Sequence, residues 1–393
     1  MPATDVLIVG GGPAGCVAAW EAAAAGAGHV LLIERDRAIG APVRCAEGVG
    51  SAGLREFLNP DGAPWVSRRI TKVIFRAPDD TEVALRNDDV GYVLDRRRFE
   101  PALADLAAQS GAEIRISTEA TRLERSNGGW RVALHGPQGD ETWTAKVVIG
   151  ADGVETMVGR WAGLETRVAA RDMESCAQCV VGNISFDPDA IYLHFGPSVA
   201  PGGYAWVFPK GVGVANVGLG VVALRSDGRN ARQYLDAYLA RHFPHGTVTG
   251  FTVGGVISHM TVKRTVADGV MLAGDAAHMI NPMSGGGIIT AMKAGRLAGR
   301  HAARAVRAGD TSAAALQPYH DEWMALLGNA HQHYYKLKET INKCDDEFFN
   351  RLARTVNRIP LEKRTLARVM AAALVHHPTL LPLAAKLFVQ EFC

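Results

Sequence analysis

A glycine cluster near the N-terminus has the spacing of a phosphate-binding turn. Gly10, Gly12 and Gly15 form a Gly-x-Gly-x-x-Gly pattern. Gly10 permits a tight turn, Gly12 lets a pyrophosphate approach the backbone, and Gly15 lets a helix pack closely against a strand. Pro13 and Ala14 begin that helix, whose free N–H groups and positive dipole end would face the phosphates. The cluster predicts a dinucleotide site, with an ordinary glycine turn as the alternative.

An acidic residue ends the next apolar run. Glu34, followed by Arg35, closes the run that starts at Val30, where a carboxylate can accept hydrogen bonds from ribose hydroxyl groups. NAD and FAD both remain open on these residues. Gly274 and Asp275 end another apolar run much later in the chain. They favour FAD, because an extended flavin cofactor needs a contact beyond the pyrophosphate and an aspartate there can bind the ribityl chain.

A second glycine turn follows that aspartate. Gly286, Gly287 and Ile288 open another helix. Bare backbone N–H groups at a helix start could stabilise negative charge on the reduced isoalloxazine ring. The sequence therefore predicts that this turn lies against the flavin.

An α/β fold is needed to bring these motifs together. The runs at 5–9, 30–34, 146–150 and 270–273 are short and nearly all apolar, as in parallel strands buried on both faces. Alternating and aromatic runs punctuated by Gly and Pro follow 166, which is typical of antiparallel strands. We expect an FAD-binding domain at 1–165, with a small substrate-domain excursion near 66–95. An antiparallel-sheet substrate domain at 166–264, a second FAD-binding part at 265–310 and a helical region at 311–393 would follow.

Composition excludes several classes of protein. The 393 residues include 42 basic and 40 acidic ones, and the mean hydropathy is +0.02. This balance, without a basic stripe, gives no reason to expect nucleic-acid binding. No uninterrupted apolar run of about 20 residues occurs, so a spanning helix is not expected. The N-terminus lacks the features of a signal peptide, and we expect a cytoplasmic protein. The apolar residues at 380–389 are expected to pack as ordinary helix, with peripheral membrane contact as the alternative.

Three segments resemble the fingerprints of the para-hydroxybenzoate-hydroxylase-like flavoproteins. They are residues 10–34, Ala151-Asp152-Gly153 and Gly274-Asp275. More narrowly, the chain resembles the geranylgeranyl reductase family at 40–48, 90–96, 192–209 and 274–288. The resemblance covers roughly residues 4–310. It implies a glutathione-reductase-type, Rossmann-like FAD-binding domain with an inserted antiparallel-sheet substrate domain. Ala46 departs from the family, since many relatives have glycine there.

The resemblance also implies roles for individual residues. It gives Cys45 a catalytic or substrate-positioning role, and Arg44 beside it would favour the thiolate. Asp152 is expected mainly to brace the end of a strand. Further contacts with FAD are expected for Arg35, Arg44, Cys45, Ala46, Gly48, Arg96, Asp152 and the backbone of Ala120.

Aromatic residues alternate along one predicted strand. Tyr204, Trp206 and Phe208 would face one side, since successive strand residues point to opposite faces. With Tyr192 they could form the aromatic wall of a lipid tunnel, which suits an isoprenoid chain without polar groups along its length. The alternative is the core of a sandwich.

The expected activity is reduction of carbon–carbon double bonds in a geranylgeranyl-type chain, on a lipid or a prenyl diphosphate. Reduced flavin would deliver hydride to one alkene carbon and an acid would protonate the other. Cys45, Glu47 and Tyr204 are the candidate proton donors. The electron donor would be NAD(P)H or ferredoxin.

Two other classes of function share this scaffold. A flavin-dependent monooxygenase or halogenase is the first, although Tyr204 and Phe208 do not match the halogenase Trp-x-Trp-x-Ile-Pro signature. A non-catalytic isoprenoid carrier is the second. Cys176 and Cys179 have no second cysteine or histidine pair at metal spacing, so we expect no metal site. Disulfides involving Cys176, Cys179 or Cys344 stay open.

Overall fold

The computed structural model describes residues 1–364 and Arg368, apart from the side chains of residues 86–89. The strands are β1 (Ala3–Val9), β2 (Val30–Ile33), β3 (Gly48–Gly50), β4 (Val66–Arg76), β5 (Glu82–Leu94), β6 (Glu113–Arg115), β7 (Glu119–Ser126), β8 (Gly129–Gly136), β9 (Gly139–Gly150), β10 (Met173–Gly182), β11 (Ala190–His194), β12 (Ala205–Gly211), β13 (Val214–Val222), β14 (Thr247–Ile257), β15 (Val266–Ala267) and β16 (Val270–Leu272). The α-helices are α1 (Pro13–Ala24), α2 (Ser51–Arg55), α3 (Arg96–Gln109), α4 (Met157–Trp161), α5 (Ala231–His242), α6 (Ile288–Ala308), α7 (Ala313–Trp323), α8 (Asn329–Ile341) and α9 (Asp346–Asn357).

The chain folds into two compact units, each assembled from three segments. The first contains Met1–Val43, Arg96–Arg167 and His259–Gln332. The second contains Arg44–Asp95, Val168–Ser258 and a third segment that starts at His333.

These bounds differ from the domain limits expected from the sequence. The excursion expected near 66–95 begins at residue 44, because β3 pairs with β5. The helices expected as one region at 311–393 divide between the units. In the first unit the hydroxyl of Tyr319 in α7 donates to the carbonyl of Leu272, whereas α9 packs through Ala353 and Val356 against Val83 of the second unit.

The first unit is built on a parallel sheet. Its strand order is β15-β16-β9-β1-β2-β6, and β1 runs parallel to both β2 and β9. β8 extends it by antiparallel pairing with β9, and β7 pairs antiparallel with β8. Each residue of β2 is buried, which explains its unbroken apolar run. The predicted Rossmann-like α/β fold is confirmed.

Two glycines of α6 let this helix touch α1. A Cβ atom at Gly295 would lie 2.2 Å from the carbonyl oxygen of Ala14, and one at Gly299 would lie 2.4 Å from that of Ala18. No side chain fits in such a space, so the two backbones approach as closely as helices can. The crossing holds the starts of α1 and α6 in one place.

The second unit contains a mainly antiparallel sheet. Its order is β14-β10-β13-β12-β11-β4-β5-β3, and only the β11–β4 pairing among its recorded partners is parallel. One face packs against α5 to form a core. The buried strand residues of that core are Ala177, Cys179, Val181, Ala205, Val207, Ala215, Val217, Leu219 and Val221, and those of α5 are Ala231, Tyr234, Leu235 and Tyr238.

No helix among residues 1–364 is both long enough and apolar enough to cross a bilayer. The apolar residues 380–389, for which membrane contact was the alternative to helix packing, lie outside the described residues.

Candidate active site

The glycine turn of the first unit is crowded on two sides and open on the third. Gly10 has φ +107°, and a Cβ there would lie 2.3 Å from the carbonyl oxygen of Ala151. A Cβ at Gly15 would lie 1.8 Å from the carbonyl oxygen of Gly10. At Gly12, by contrast, a Cβ would meet no atom within 4 Å. The turn therefore leaves space where a pyrophosphate would approach the backbone.

Helix α1 begins at this open side. Pro13 is its first residue, and its N-cap Gly12 supplies no capping side chain. The first backbone N–H groups thus stay available for an anion, with the helix dipole favouring negative charge. Ala14 is buried beside them.

Glu34 is oriented by the same turn. Its Oε2 accepts from the Gly11 N–H at 2.6 Å and its Oε1 accepts from the Asp36 N–H at 2.8 Å. A carboxylate oxygen has a second lone pair, so both oxygens could still accept from ribose hydroxyls. Arg35 instead points outward, with its side chain 52% exposed and 3.8 Å from Glu155.

The Gly274-Asp275 motif lies against the helix that follows the N-terminal glycine turn. Gly274 has φ +66°, and a Cβ there would lie 3.0 Å from Cβ of Ala14. Oδ1 of Asp275 is 3.5 Å from the Cβ position of Gly287. Burial raises the pKa of Asp275, and the Arg96 guanidinium opposes this shift. An aspartate thus adjoins the start of α6.

That start has the form expected for an anion-binding turn. Gly287 is the N-cap of α6 and supplies no side-chain cap, and Ile288 is the first helical residue. The N–H of Gly286 donates to Oγ of Ser284 at 3.2 Å. The backbone N–H groups at the start of α6 remain for a ligand.

Asp152 uses one carboxylate oxygen to cap a helix. Its Oδ2 accepts from the N–H groups of Met157 (2.7 Å) and Val158 (3.0 Å), while its Oδ1 is buried and lacks a hydrogen-bond partner in the described part of the chain. It braces the end of β9, as expected, and one oxygen is available for a ligand. Arg96 is ion-paired with the buried Glu100, and Ala120 lies in β7 opposite Leu134.

These features fit an FAD. The space at Gly12, two helix starts without side-chain caps and the unsatisfied Oδ1 of Asp152 supply the contacts that a pyrophosphate, a ribose and a ribityl chain require. Glu34 and Asp275 could hold the two ends of such a ligand.

In the second unit, the loop at 44–47 lies over the sheet face that does not pack against α5. Cβ of Arg44 is 3.7 Å from the Cβ position of Gly254 in β14. The Cys45 carbonyl accepts from Nε2 of Gln178 (2.9 Å), and the Ala46 carbonyl accepts from Nδ2 of Asn216 (3.2 Å). The loop is thus fixed to three neighbouring strands.

Glu47 anchors this loop through a buried ion pair. Its Oε2 accepts from Nζ of Lys210 (2.7 Å) and from Nδ2 of Asn216 (2.9 Å), and its side chain is only 6% exposed. The residue has φ +72°. These contacts show that Glu47 holds the loop, and its role as a proton donor stays a prediction.

Tyr204 and Trp206, two of the four predicted aromatic residues, lie on this sheet face. We call the part of the face that they share with Gly218 and Gly220 the open strip. The ring of Trp206 lies 2.6 Å from the Cβ position of Gly218, and its Nε1 donates to Oε1 of Gln178 at 2.9 Å. Tyr204 and Trp206 meet edge to face, with ring centroids 5.9 Å apart. Both are only partly buried.

Of the other two aromatic residues, Phe208 lies on the same face and packs in one cluster with Trp206, and Tyr192 lies on the opposite face. Phe208 is buried against Ile70 and Val93, and its ring fills the space beside Gly48. Tyr192 pairs with Val207, one residue out of step with Trp206, and therefore lies on the α5 face. Tyr192 therefore does not share one wall with Tyr204 and Trp206, because the register between β11 and β12 puts it on the opposite face, whereas a role for Phe208 in substrate binding stays a prediction.

Three residues of β10 on the open strip were missed as site residues. Glu174, Cys176 and Gln178 alternate with the core residues of that strand. Cys176 pairs with Gly220 on one side and Gly254 on the other. Their period-two spacing was a usable signal, because a buried strand with polar residues on one face predicts a site there.

Cys176 and Cys179 point to opposite faces of the sheet. Cys179 is in the α5 core, whereas Cys176 is on the open face. Cys176, Cys179 and Cys344 are free thiols. The Cys-x-x-Cys spacing therefore makes no disulfide.

A histidine cluster lies beside the α5 core. Ligand atoms of Asp80, His194 and His242 are within 4.8 Å of one another, and a cavity of about 430 Å³ reaches Asp80 and His242. Arg241 is ion-paired with Asp80 at 2.5 Å, and the charge of Arg76 faces both histidines. Two guanidinium groups oppose a bound cation here.

We expect this cluster to make stability depend on pH. Burial, aided by His242 and Arg76, lowers the pKa of His194 to about 4, from an unfolded value of about 6.5. Neutral His194 thus contributes stability above pH 6.5 that is lost as pH falls toward 4, on the order of 1–2 kcal/mol between pH 7 and 5. Urea unfolding at both pH values should show this loss, and His194→Gln should reduce it; an equal loss in the variant would contradict the assignment.

The comparisons with known proteins agree with this geometry. A family model described as the geranylgeranyl reductase catalytic domain matches residues 172–256, which include β10 to β13 and most of β14. A second, described as glucose inhibited division protein A, matches residues 5–103. A solved geranylgeranyl bacteriochlorophyll reductase-like protein from Thermoplasma acidophilum is 32% identical, with TM-score 0.91, covering 98% of this chain and 99% of that one.

Curated relatives match nearly the whole chain. A digeranylgeranylglycerophospholipid reductase from Methanocella arvoryzae is 42% identical over 382 residues, 96% of this chain and 97% of that protein. One from Methanosphaerula palustris is 41% identical over 386 residues, 96% of each. A flavin-dependent brominase, at 17% identity and TM-score 0.70 over 98% of this chain and all of that one, shares the fold. The chain belongs to the digeranylgeranylglycerophospholipid reductase family.

Proposed function

We propose that this enzyme is an FAD-dependent reductase of carbon–carbon double bonds in geranylgeranyl-type isoprenoid chains, carried on a lipid or a diphosphate. The observation that carries the proposal is 42% identity, over 96% of the chain, to a protein named digeranylgeranylglycerophospholipid reductase. A flavin-binding unit and a partly apolar sheet face support it.

FAD would be held by the first unit. Gly12, Pro13 and Ala14 would bind the pyrophosphate, Glu34 the ribose, and Asp275 with the start of α6 the flavin side. When bound and reduced, FAD supplies a hydride to one alkene carbon. The protein must exclude water, hold the alkene and deliver a proton to the other carbon.

The substrate chain would lie on the open strip of the second unit. The Trp206 ring lies against Gly218, and Glu174 and Cys176 lie against Gly220, so the rings of Tyr204 and Trp206 would supply the apolar contacts of this strip. An isoprenoid offers only methyl groups and double bonds, so shape and apolar contact must bind it. Such a strip suits a thin, flexible hydrocarbon.

The product of an anaerobic reaction tests this function. The purified protein, its flavin reduced with dithionite, would receive a geranylgeranylated glycerophospholipid or geranylgeranyl diphosphate. We expect products heavier by pairs of hydrogen atoms, with flavin reoxidised in the absence of oxygen. Flavin that ignores both compounds but consumes oxygen and yields an oxygenated product would instead favour a monooxygenase. Repeating the reaction with NAD(P)H or reduced ferredoxin would identify the donor.

Cys45 is the residue of the loop for which we propose a direct role. Its Sγ accepts from the N–H of Glu47 at 3.2 Å, and its thiol is partly exposed. If Cys45 positions the alkene, Cys45→Ala should lower kcat by about 100-fold with the flavin content unchanged. Cys45→Ser keeps an acceptor for the Glu47 N–H. It should therefore restore the conformation of the loop but not the activity that depends on the thiol. Full activity of both variants would show that Cys45 only packs the loop.

A further inference from the structure

We propose that Glu174 delivers the proton to the alkene, and that Ser258 and Lys338 resupply it from solvent. The inference rests on the proposed function and names a residue for a step that Glu47, held by Lys210, is badly placed to perform.

Glu174 reaches the floor of the open strip. Its Oε2 is 3.1 Å from the Cβ position of Gly220 and 3.4 Å from that of Gly203. Sγ of Cys176 is also 3.1 Å from the Gly220 position. A side chain at Gly220 would crowd the carboxyl group, which lies where the chain of a substrate would pass, next to Tyr204.

The surroundings favour a protonated Glu174. Burial raises its pKa, while a hydrogen bond with Ser258 and the charge of Lys338 oppose the shift. Burial also raises the pKa of Tyr204 and Cys176 far above their ordinary values, and the carboxylate charge of Glu174 adds to both shifts. A buried carboxylic acid is a far stronger acid than a phenol or a thiol in such a place, and it can stay neutral near pH 7.

Polar groups connect Glu174 to the surface. Nζ of Lys338 donates to the Ser258 carbonyl at 2.5 Å and to its Oγ at 3.2 Å. Lys338 is 4% exposed and Ser258 is fully buried. Oε1 of Glu339, whose side chain is 32% exposed, is 3.6 Å from Nζ of Lys338, and Oδ1 of Asp172 is 3.9 Å from it. Burying the charged group of Lys338 costs free energy, and a role in proton transfer would explain why the lysine is there.

The step balances as follows. The O–H bond of Glu174 breaks and a C–H bond forms at one alkene carbon, while the hydride forms the C–H bond at the other. The O–H electron pair stays on the carboxylate. The Ser258 hydroxyl then donates its proton to Glu174 and takes one from the Lys338 ammonium group, which water refills beside Glu339. Each double bond consumes one hydride and one solvent proton.

Turnover and spectroscopy together test the proposal. Glu174→Gln should retain FAD and lower the rate of alkene reduction by about 100-fold or more, since a positioned general acid contributes that much. Ser258→Ala should lower the rate less and make it rise at lower pH, where protons reach Glu174 without the relay. The exposed Glu347→Gln is the matched control and should leave the rate unchanged. An unaltered rate in Glu174→Gln would overturn the proposal.

Infrared spectra give a readout independent of turnover. The wild-type protein should show the carbonyl band of a buried carboxylic acid near neutral pH, and Glu174→Gln should lack it. If Glu174→Gln does not fold, titration of this band in the wild type and in Ser258→Ala still decides, because an ionised Glu174 at pH 7 overturns the proposal. Loss of the proposed function itself would instead appear as wild-type protein that bears the band and reduces no isoprenoid.

Discussion

Gly295→Val is expected to destabilise the first unit and to abolish FAD binding together. The new Cβ would lie 2.2 Å from the Ala14 carbonyl oxygen and 3.1 Å from the backbone nitrogen of Ala18, so α1 and α6 must move apart. Backbone atoms cannot turn away as a flexible side chain can, and we expect a cost of about 3 kcal/mol. Because Ala14 also adjoins Gly274, separation of the helices would displace Asp275 from the phosphate-binding turn.

Gly12→Val is the matched control for this prediction. Its Cβ would meet nothing within 4 Å, and Gly12 has φ −75°, which valine adopts without strain. It should therefore fold normally and lose flavin, because its side chain occupies the place of the pyrophosphate. Flavin content and urea unfolding of the apoproteins distinguish the two variants. A Gly295→Val protein with wild-type stability would refute the close crossing.

The flavin-binding unit could be predicted because its signals are local. The glycine turn, the acid at Glu34 and the Gly274-Asp275 pair each need only a few neighbouring residues to be read, and the structure brings Gly274 against Ala14. The helix crossing also had a local signal, the Gly295-x-x-x-Gly299 spacing, which was overlooked.

The substrate side could be predicted only in part, because it depends on pairing between distant strands. Alternation placed Tyr204 and Trp206 on one face but could not place Tyr192, since a shift of one residue in register reverses the face. No residue near Glu47 in the sequence indicates its hydrogen bond with Lys210, which is 163 positions away. The spacing of β10 indicates that Glu174 faces the site, but not its partners, because Ser258 and Lys338 come from other segments of the chain.

Lys210→Met is expected to destabilise the second unit and displace the Cys45 loop. The change leaves Glu47, whose side chain is 6% exposed, as a buried carboxylate without its ammonium partner. Breaking such a pair from one side costs about 3 kcal/mol, because the remaining buried charge loses the cation that offsets its desolvation. Lys210 also donates to the carbonyl of Leu94, so the variant loses a second contact.

A second substitution separates the charge from the packing. In Lys210→Met/Glu47→Gln the buried group is neutral, and its amide oxygen can still accept from Asn216, so much of the lost stability should return. Lys72→Met is the control: Lys72 pairs with Asp187 at a more exposed site, and its loss should cost about 0.5 kcal/mol. Urea unfolding of the wild type, Lys210→Met, Glu47→Gln and the double variant gives the coupling energy of the pair. If the double variant were no more stable than Lys210→Met, charge burial would not be what holds the loop, and the loss would have to come from the Leu94 contact and the lysine stem.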